Sequence, residues 1–188
     1  PEVDDFIDWK VKEENKVADL VTGSKINAVC VKEIYDEAKI NPDIATNQNL
    51  RSVIAQAMKY KCPNGLIDKA IKLAQMGYEM PVIDTFDTDW QSEAYATVNG
   101  QNSNNTVSIP NAFMTALSVG EDWSLTRRLD GKVQRTVNSQ YLWDKITNAA
   151  WQSADPGVHY KDIINDWHTI PEAGPIRTSN PCSEYMSI

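Results

Sequence analysis

Three side chains near the end of the sequence combine an amide, a thiol and a carboxylate at alternating positions. Asn180, Cys182 and Glu184 are separated by Pro181 and Ser183. In an extended backbone successive side chains point to opposite faces, so these three would share one face. Pro181 favours that geometry because its ring fixes φ and disfavours helical values for Asn180. A hydrogen-bonding amide, a redox-capable sulfur and a proton-accepting carboxylate in one row predict a catalytic site.

The same residues allow other interpretations. An edge strand could bury Cys182 as a small hydrophobe while Asn180 and Glu184 are solvated. Cys182 could instead pair with His168, 14 positions earlier, as a Cys/His thiolate hydrolase, although no oxyanion or third-member motif accompanies the pair. A third alternative is a non-catalytic helical interaction module built on residues 26–80.

The segment from Ser179 to Tyr185, Ser-Asn-Pro-Cys-Ser-Glu-Tyr, closely resembles the active-site segment in the catalytic subunit of ribonucleotide reductases. The resemblance is best to the adenosylcobalamin-dependent (class II) branch. It implies that Cys182 becomes a thiyl radical that removes the 3′ hydrogen of the ribose. It also implies that Glu184 accepts the 3′-hydroxyl proton as general base. Asn180 and Ser179 would bind the substrate, Asn180 by hydrogen bonding to the ribose.

Similar segments recur in the family's order at Pro1 to Glu14, Gly100 to Leu125 and Leu142 to Tyr185. The resemblance therefore implies an α/β fold over residues 1–188, as part of the ten-stranded α/β barrel of ribonucleotide reductases. Residues 26–80 would form a helical insertion, and residues 100–188 would supply barrel strands and helices that end at the Cys182 segment.

No side chain in the sequence can generate a radical, so a cofactor must do so. The resemblance implies adenosylcobalamin for the longer enzyme, a ribonucleoside-diphosphate reductase, whereas no cobalamin-binding residue can be identified. It further implies a ribonucleotide substrate, deoxynucleotide effectors, a thioredoxin-type reductant and a homodimer. The residues leave diphosphate and triphosphate substrates open. Two reducing cysteines of the family have no counterpart here, and Cys30 and Cys62 are not in their positions. We expect the isolated fragment to be inactive, because half a barrel cannot enclose a radical and leaves open strand edges, and we do not expect it to bind the cofactor.

Composition limits the function classes. A net charge of −8 argues against a large nucleic-acid surface or an anionic-membrane surface, since both need basic patches. No apolar run approaches the roughly 18 residues of a transmembrane span. The three cysteines and two histidines lack metal-ligand spacing, so the sequence predicts no metal site. An odd cysteine count favours a reducing, cytoplasmic setting.

Hydrophobic periodicity and turn residues predict mostly helices, with strands in the second half of the chain. The predicted helices are 1–21, 26–38, 47–60, 66–76, 111–119 and 139–153. Gly23 would end the first of them, and Pro110 would be the first residue of the helix at 111–119. Asn138 would cap the helix 139–153, whose apolar stripe includes Trp151. The predicted strands are 106–109, two strands around the turn Asp130-Gly131, and 158–160, where we expect His159 to be a hydrogen-bonded structural residue.

Overall fold

The computed structural model describes residues 2–188, apart from the side chain of Glu2. Contacts divide the chain into a split unit, Pro1–Glu14 with Gly100–Ile188, and a helical unit, Asn15–Asn99. The assignment of residues 26–80 to an insertion stays a prediction. Among residues 2–188, no helix combines the length and apolar character that crossing a bilayer requires.

Eight α-helices are described within residues 2–188: α1 (Glu2–Ile7), α2 (Trp9–Ile40), α3 (Gln48–Lys59), α4 (Asn64–Gln75), α5 (Glu93–Ala96), α6 (Asn111–Val119), α7 (Ser139–Ser153) and α8 (Lys161–Asp166). The strands are β1 (Thr106–Ile109), β2 (Asp122–Thr126), β3 (Val133–Asn138), β4 (Gly157–Tyr160), β5 (Thr178–Ser179) and β6 (Met186–Ser187). They pair as β1 with β4, β2 with β3, and β5 with β6. Helices mixed with small sheets confirm the α/β composition. The described residues form no closed barrel, so the ten-stranded barrel stays a prediction.

The boundary predicted between the first two helices, at Gly23, is wrong. Pro1 lies outside the described residues, a break after Ile7 separates α1 from α2, and α2 then continues through Gly23 to Ile40. A glycine inside a helix costs about 1 kcal/mol relative to alanine. Packing on both sides of it opposes that cost, because Val17 and Val21 before it and Val31 after it are buried.

The helical unit has its main core between α2, α3 and α4. This core includes Val31, Ile34 and Leu50, all fully buried, together with the buried thiols of Cys30 and Cys62. The N-cap of α3 is Asn47, whose side chain accepts a 2.9 Å hydrogen bond from Leu50 N and donates to two carbonyls at the end of α2 and just beyond it. The predicted helices 47–60 and 66–76 are confirmed as α3 and α4.

In the split unit, β1 and β4 pair in parallel from Thr106 opposite Gly157 to Ile109 opposite Tyr160. Their start is aligned by the buried Asp155, whose Oδ2 accepts a 2.8 Å hydrogen bond from Asn105 N. A second carboxylate, Asp162 of α8, accepts a 2.7 Å bond from the first amide of α6, where the helix leaves an N–H without an intrahelical partner. These two contacts align β4 with β1 and tie α8 to the start of α6.

The core of the split unit lies between α1, β1, the β2–β3 hairpin, α6 and α7. Its buried members are Ile7, Ile109, Phe113, Val137, Leu142, Ile146 and Ala149. Asn138 caps α7 as predicted, since its Oδ1 accepts a 3.1 Å bond from Tyr141 N. Two details of the prediction are wrong. Pro110 is the N-cap residue of α6 and not its first helical residue, and Trp151 is 89% exposed because it faces away from this core.

The polar loop before β1 lies against the first turn of α2. Lys10 Nζ donates to the carbonyls of Gly100, Gln101 and Ser103 at 3.1, 3.1 and 3.0 Å. Gly100 has φ +69°, and a Cβ there would lie 2.3 Å from Trp9 Cη2. Glycine is therefore required at this position both by the backbone conformation and by the indole.

Candidate active site

Asn180, Cys182 and Glu184 lie in a tight turn, which we call the Cys182 turn (residues 180–185). The turn joins β5 to β6, which pair antiparallel with Ser179 opposite Met186. It is closed by Asn180 N donating to Tyr185 O at 3.1 Å and by Ser183 N donating to Asn180 O at 3.0 Å. The expectation of an extended row with alternating faces is wrong. Chain reversal, and not strand alternation, brings the amide and the carboxylate together.

Asn180 is the organising side chain of the Cys182 turn. Its Nδ2 donates to Glu184 Oε2, and its Oδ1 accepts a 2.8 Å hydrogen bond from Tyr185 N. The Asn180 amide is the main cause of a lowered pKa of Glu184, with smaller contributions from the backbone N–H of Glu184 and the Cys182 thiol, while desolvation acts in the opposite direction. The carboxylate is therefore ionised at neutral pH and can accept a proton.

Cys182 differs from the other two cysteines in exposure. It is exposed, whereas Cys30 and Cys62 are buried in the helical unit. Desolvation raises the pKa of Cys30 and of Cys62, which keeps both as thiols. The interpretation in which Cys182 is buried as a small hydrophobe is wrong. Its thiol lies beside a carboxylate and is open to a reactant.

His159 of β4 contacts the turn through two serines, Ser179 just before it and Ser183 within it. Ser179 Oγ donates to the Asn180 carbonyl at 2.8 Å. His159 Nε2 lies 2.9 Å from Ser179 Oγ and 3.2 Å from Ser183 Oγ. His159 is a hydrogen-bonded buried residue, as predicted. Its link to the turn was not foreseen, because no sequence spacing connects residue 159 to residues 179 and 183.

His168 uses both ring nitrogens on the backbone. Nδ1 accepts from Ile170 N at 3.4 Å, so Nε2 carries the proton of the neutral ring and donates to Gly174 O at 3.0 Å. Neither contact involves Cys182. The geometry therefore gives no support to the Cys/His hydrolase interpretation.

A groove of about 390 Å³ runs beside the turn. Trp167 and Ile176 line it together with Tyr185 and Met186. Trp167 is 83% exposed and Tyr185 69% exposed, so the groove is open to solvent, and His168 and Thr169 add polar groups to its lining.

Comparison with known proteins identifies the family of the chain. The family model described as ribonucleotide reductase, barrel domain, matches residues 1–188. A protein of Agrobacterium fabrum named vitamin B12-dependent ribonucleotide reductase is 50% identical over 194 aligned residues, which cover 99% of this chain. A protein of the same name from Bradyrhizobium diazoefficiens is 47% identical over the same share. A vitamin B12-dependent ribonucleoside-diphosphate reductase of Thermoplasma acidophilum is 30% identical over 44% of this chain and covers 11% of that protein.

The chain spans about 15% of the length of the Agrobacterium and Bradyrhizobium relatives. Within that span the family match extends from the first residue to the last. The resemblance drawn from the Cys182 segment is confirmed: the chain belongs to the ribonucleotide reductase family, in the region of its barrel domain.

Proposed function

We propose that a protein of the relatives' length that includes this chain reduces ribonucleotides to 2′-deoxyribonucleotides at the Cys182 turn. One observation carries the proposal. An exposed thiol, an ionised carboxylate and an amide bonded to that carboxylate share a six-residue turn, in a chain matched throughout by a reductase family model. Asn180, Cys182 and Glu184 are the residue types that hydrogen transfer at a ribose needs.

Each of these three residues has a separate role in the proposed reaction. Cys182, as a thiyl radical, takes the hydrogen atom from ribose C3′, so that an S–H bond forms and a carbon radical remains. Glu184 accepts the 3′-hydroxyl proton as general base. Asn180 orients Glu184 and hydrogen-bonds the ribose, with Ser179 fixing the Asn180 carbonyl from the other side. Cys182 and Glu184 are exposed and Asn180 is half-buried, which leaves space for a substrate beside the thiol and the carboxylate.

The named relatives are vitamin B12-dependent. Adenosylcobalamin, a form of vitamin B12, would supply the radical chemistry that no side chain provides. The exposed thiol of Cys182 fits a reaction with such a cofactor, because the sulfur is accessible from outside the chain. The residues that bind the cofactor are proposed to lie in other parts of a protein of the relatives' length.

The remaining proposals follow from membership of the family and not from the geometry of this chain. The substrate is a ribonucleoside diphosphate, as in the name of the Thermoplasma relative. The same proposal includes deoxynucleotide effectors, a thioredoxin-type reductant, homodimer formation, a cytoplasmic setting and a complete ten-stranded barrel. Taken alone, the chain is expected to be inactive, since it cannot enclose a radical away from water.

The test is deoxyribonucleotide formation by the full-length protein with and without adenosylcobalamin. We expect product only when the cofactor is present, with a dithiol reductant supplied to both samples. Product in its absence would assign the protein to another radical-generating class. A folded protein that forms no product from ribonucleoside diphosphates or triphosphates would contradict the proposal.

A further inference from the structure

His159 connects the parallel sheet to the Cys182 turn. It lies in β4, opposite Ser108 of β1, and is 8% exposed. Its Nε2 is 2.9 Å from Ser179 Oγ and 3.2 Å from Ser183 Oγ. Ser179 is the last residue of β5 and Ser183 is inside the turn. One ring nitrogen therefore holds both sides of the loop that carries Asn180, Cys182 and Glu184.

The direction of these hydrogen bonds follows from the single proton of each hydroxyl. Ser179 Oγ uses its proton on the Asn180 carbonyl at 2.8 Å, so it can only accept from His159. His159 Nε2 must then carry a proton, which it does in the imidazolium and in one neutral tautomer. Ser183 Oγ lies 3.3 Å from Ser179 Oγ and closes a three-membered cluster. A side chain without a donor at the Nε2 position would break this cluster.

Ser183 gives the contact a conformational role. Its φ is +61°, in the left-handed region that is unfavourable for a residue with a Cβ. Such a conformation persists only where neighbouring contacts hold it. Three contacts hold Ser183: the bond from its amide to Asn180 O, and the contacts of its hydroxyl with His159 Nε2 and with Ser179 Oγ. The position of Cys182, immediately before Ser183, depends on them.

We propose that His159 is a positioning residue that fixes the Cys182 turn, and with it the thiol and the carboxylate, through Ser179 and Ser183. This inference rests on the proposed function, since the reaction it serves is the one assigned to Cys182. His159 acts through the two serines and is bonded to neither Cys182 nor Glu184 among the described contacts. The turn carries the thiol and the carboxylate as well as the Asn180 contact with the ribose, so the effect is expected mainly on turnover, with a smaller one on substrate binding.

Two substitutions distinguish the loss of the hydrogen-bond donor at His159 from a change in side-chain volume. The Nε2 of Gln can occupy the place of the imidazole Nε2, whereas Leu has similar volume and no donor. In the full-length holoenzyme we expect His159→Leu to lower kcat by about 10- to 100-fold with KM within about twofold, since a misplaced reacting group costs rate. His159→Gln should recover most of the loss. His168→Leu is the matched control, because it removes two backbone contacts outside the turn and should leave kcat unchanged.

A second readout does not depend on activity. The Tyr185 amide, bonded to Asn180 Oδ1, reports closure of the turn by hydrogen exchange. We expect His159→Leu to speed its exchange about tenfold, as local opening becomes easier, and His159→Gln and His168→Leu to leave it near wild type. Should His159→Leu fail to fold, His159→Asn, whose amide is too short to reach the serines, replaces it.

These readouts distinguish the two proposals. An unchanged Tyr185 exchange rate, or equal loss of kcat in the Leu and Gln variants, would overturn the role of His159. A wild-type protein that makes no deoxyribonucleotide would instead overturn the proposed function, while the exchange rates would still decide whether His159 fixes the turn.

Discussion

At the scale of single residues, the Cys182 turn brings together groups that influence one another directly. The Asn180 amide lowers the pKa of Glu184, and the Cys182 thiol makes a smaller contribution in the same direction. The carboxylate is therefore negative over the whole neutral range. A general base must be deprotonated before it can act. The hydrogen bond from Asn180 keeps Glu184 deprotonated, and the lowered pKa makes the carboxylate a weaker base.

The lowered pKa can be tested by substitution. Asn180→Ala should raise the pKa of Glu184 towards its ordinary value, because the largest stabilising hydrogen bond of the carboxylate is lost. Carboxyl chemical shifts followed through an acid titration measure the change. Asn138→Ala, which removes a helix cap outside the turn, is the control and should leave the Glu184 titration unchanged.

Stability should follow the same titration. A carboxyl whose pKa is depressed on folding stabilises the folded state above its unfolded pKa, and this contribution disappears as the pH falls through the folded pKa. Asn180→Ala should therefore weaken the fold slightly at neutral pH and have no such effect in acid below both values. A stability difference between Asn180→Ala and wild type that persists unchanged at the lowest pH would contradict this coupling.

The three cysteines should differ in reactivity. We expect iodoacetamide to modify Cys182 at least about 100-fold faster than Cys30 or Cys62, since a buried thiol reacts only after a local opening that costs about 3 kcal/mol. The raised pKa values of Cys30 and Cys62 act in the same direction. Mass spectrometry of peptides after timed alkylation gives the three rates. Equal rates in the folded chain would show that the burial described here is wrong.

At the scale of elements, sequence patterns located most helices and strands but not all of their ends. Asn138 begins α7 as predicted, and the predicted helix 111–119 ends at Gly120 in a left-handed conformation, because a cap and a left-handed residue act locally. Gly23 does not end a helix, because buried residues on both sides outweigh its intrinsic cost. The Cys182 turn was missed for the opposite reason. Its shape depends on Ser183 in a left-handed conformation and on contacts with β4, which no local pattern encodes.

The contact of α2 with the loop before β1 should contribute measurably to stability. Lys10→Met leaves three carbonyls without a charged donor, so we expect a loss of about 2 kcal/mol in the unfolding free energy of the split unit. Faster exchange of the Ser103 amide, which is bonded to Gly100 O, would locate the effect.

Lys12→Met provides the matched control for this measurement. It removes the same charge from the same helix, but its ion pair with Asp5 has side chains 53% and 67% exposed. Such exposed pairs contribute about 0–1 kcal/mol. Equal losses for the two variants would show that the three carbonyl contacts do not stabilise the loop.

At the scale of the whole molecule, the two units have separate cores. The two hydrophobic clusters of the helical unit consist of residues between 17 and 98. The cluster of the split unit consists of residues between 7 and 11 and between 107 and 158. The family was predictable because a short motif and its order relative to other segments are visible in the sequence. The parallel pairing of β1 with β4, 51 positions apart, was not predicted, since it depends on contacts between distant residues.

The separate cores predict that residues 15–99 fold alone. We expect this peptide to show helical circular dichroism and a cooperative thermal transition. Residues 100–188 alone lack Ile7 and Lys10, so we expect them to be less stable than the same residues joined to 1–14 by a short linker. A peptide 15–99 without cooperative unfolding would contradict the division.

The most direct measurement of the central claim is turnover of Cys182→Ser in the full-length protein with adenosylcobalamin, ribonucleotide and reductant. Serine keeps the size of the side chain and removes the sulfur. Cys62→Ala, which changes a buried thiol of the helical unit, is the matched control. We predict product at the background level for Cys182→Ser and near wild type for folded Cys62→Ala. Sustained product formation by Cys182→Ser would contradict the assignment of Cys182 as the radical-bearing residue.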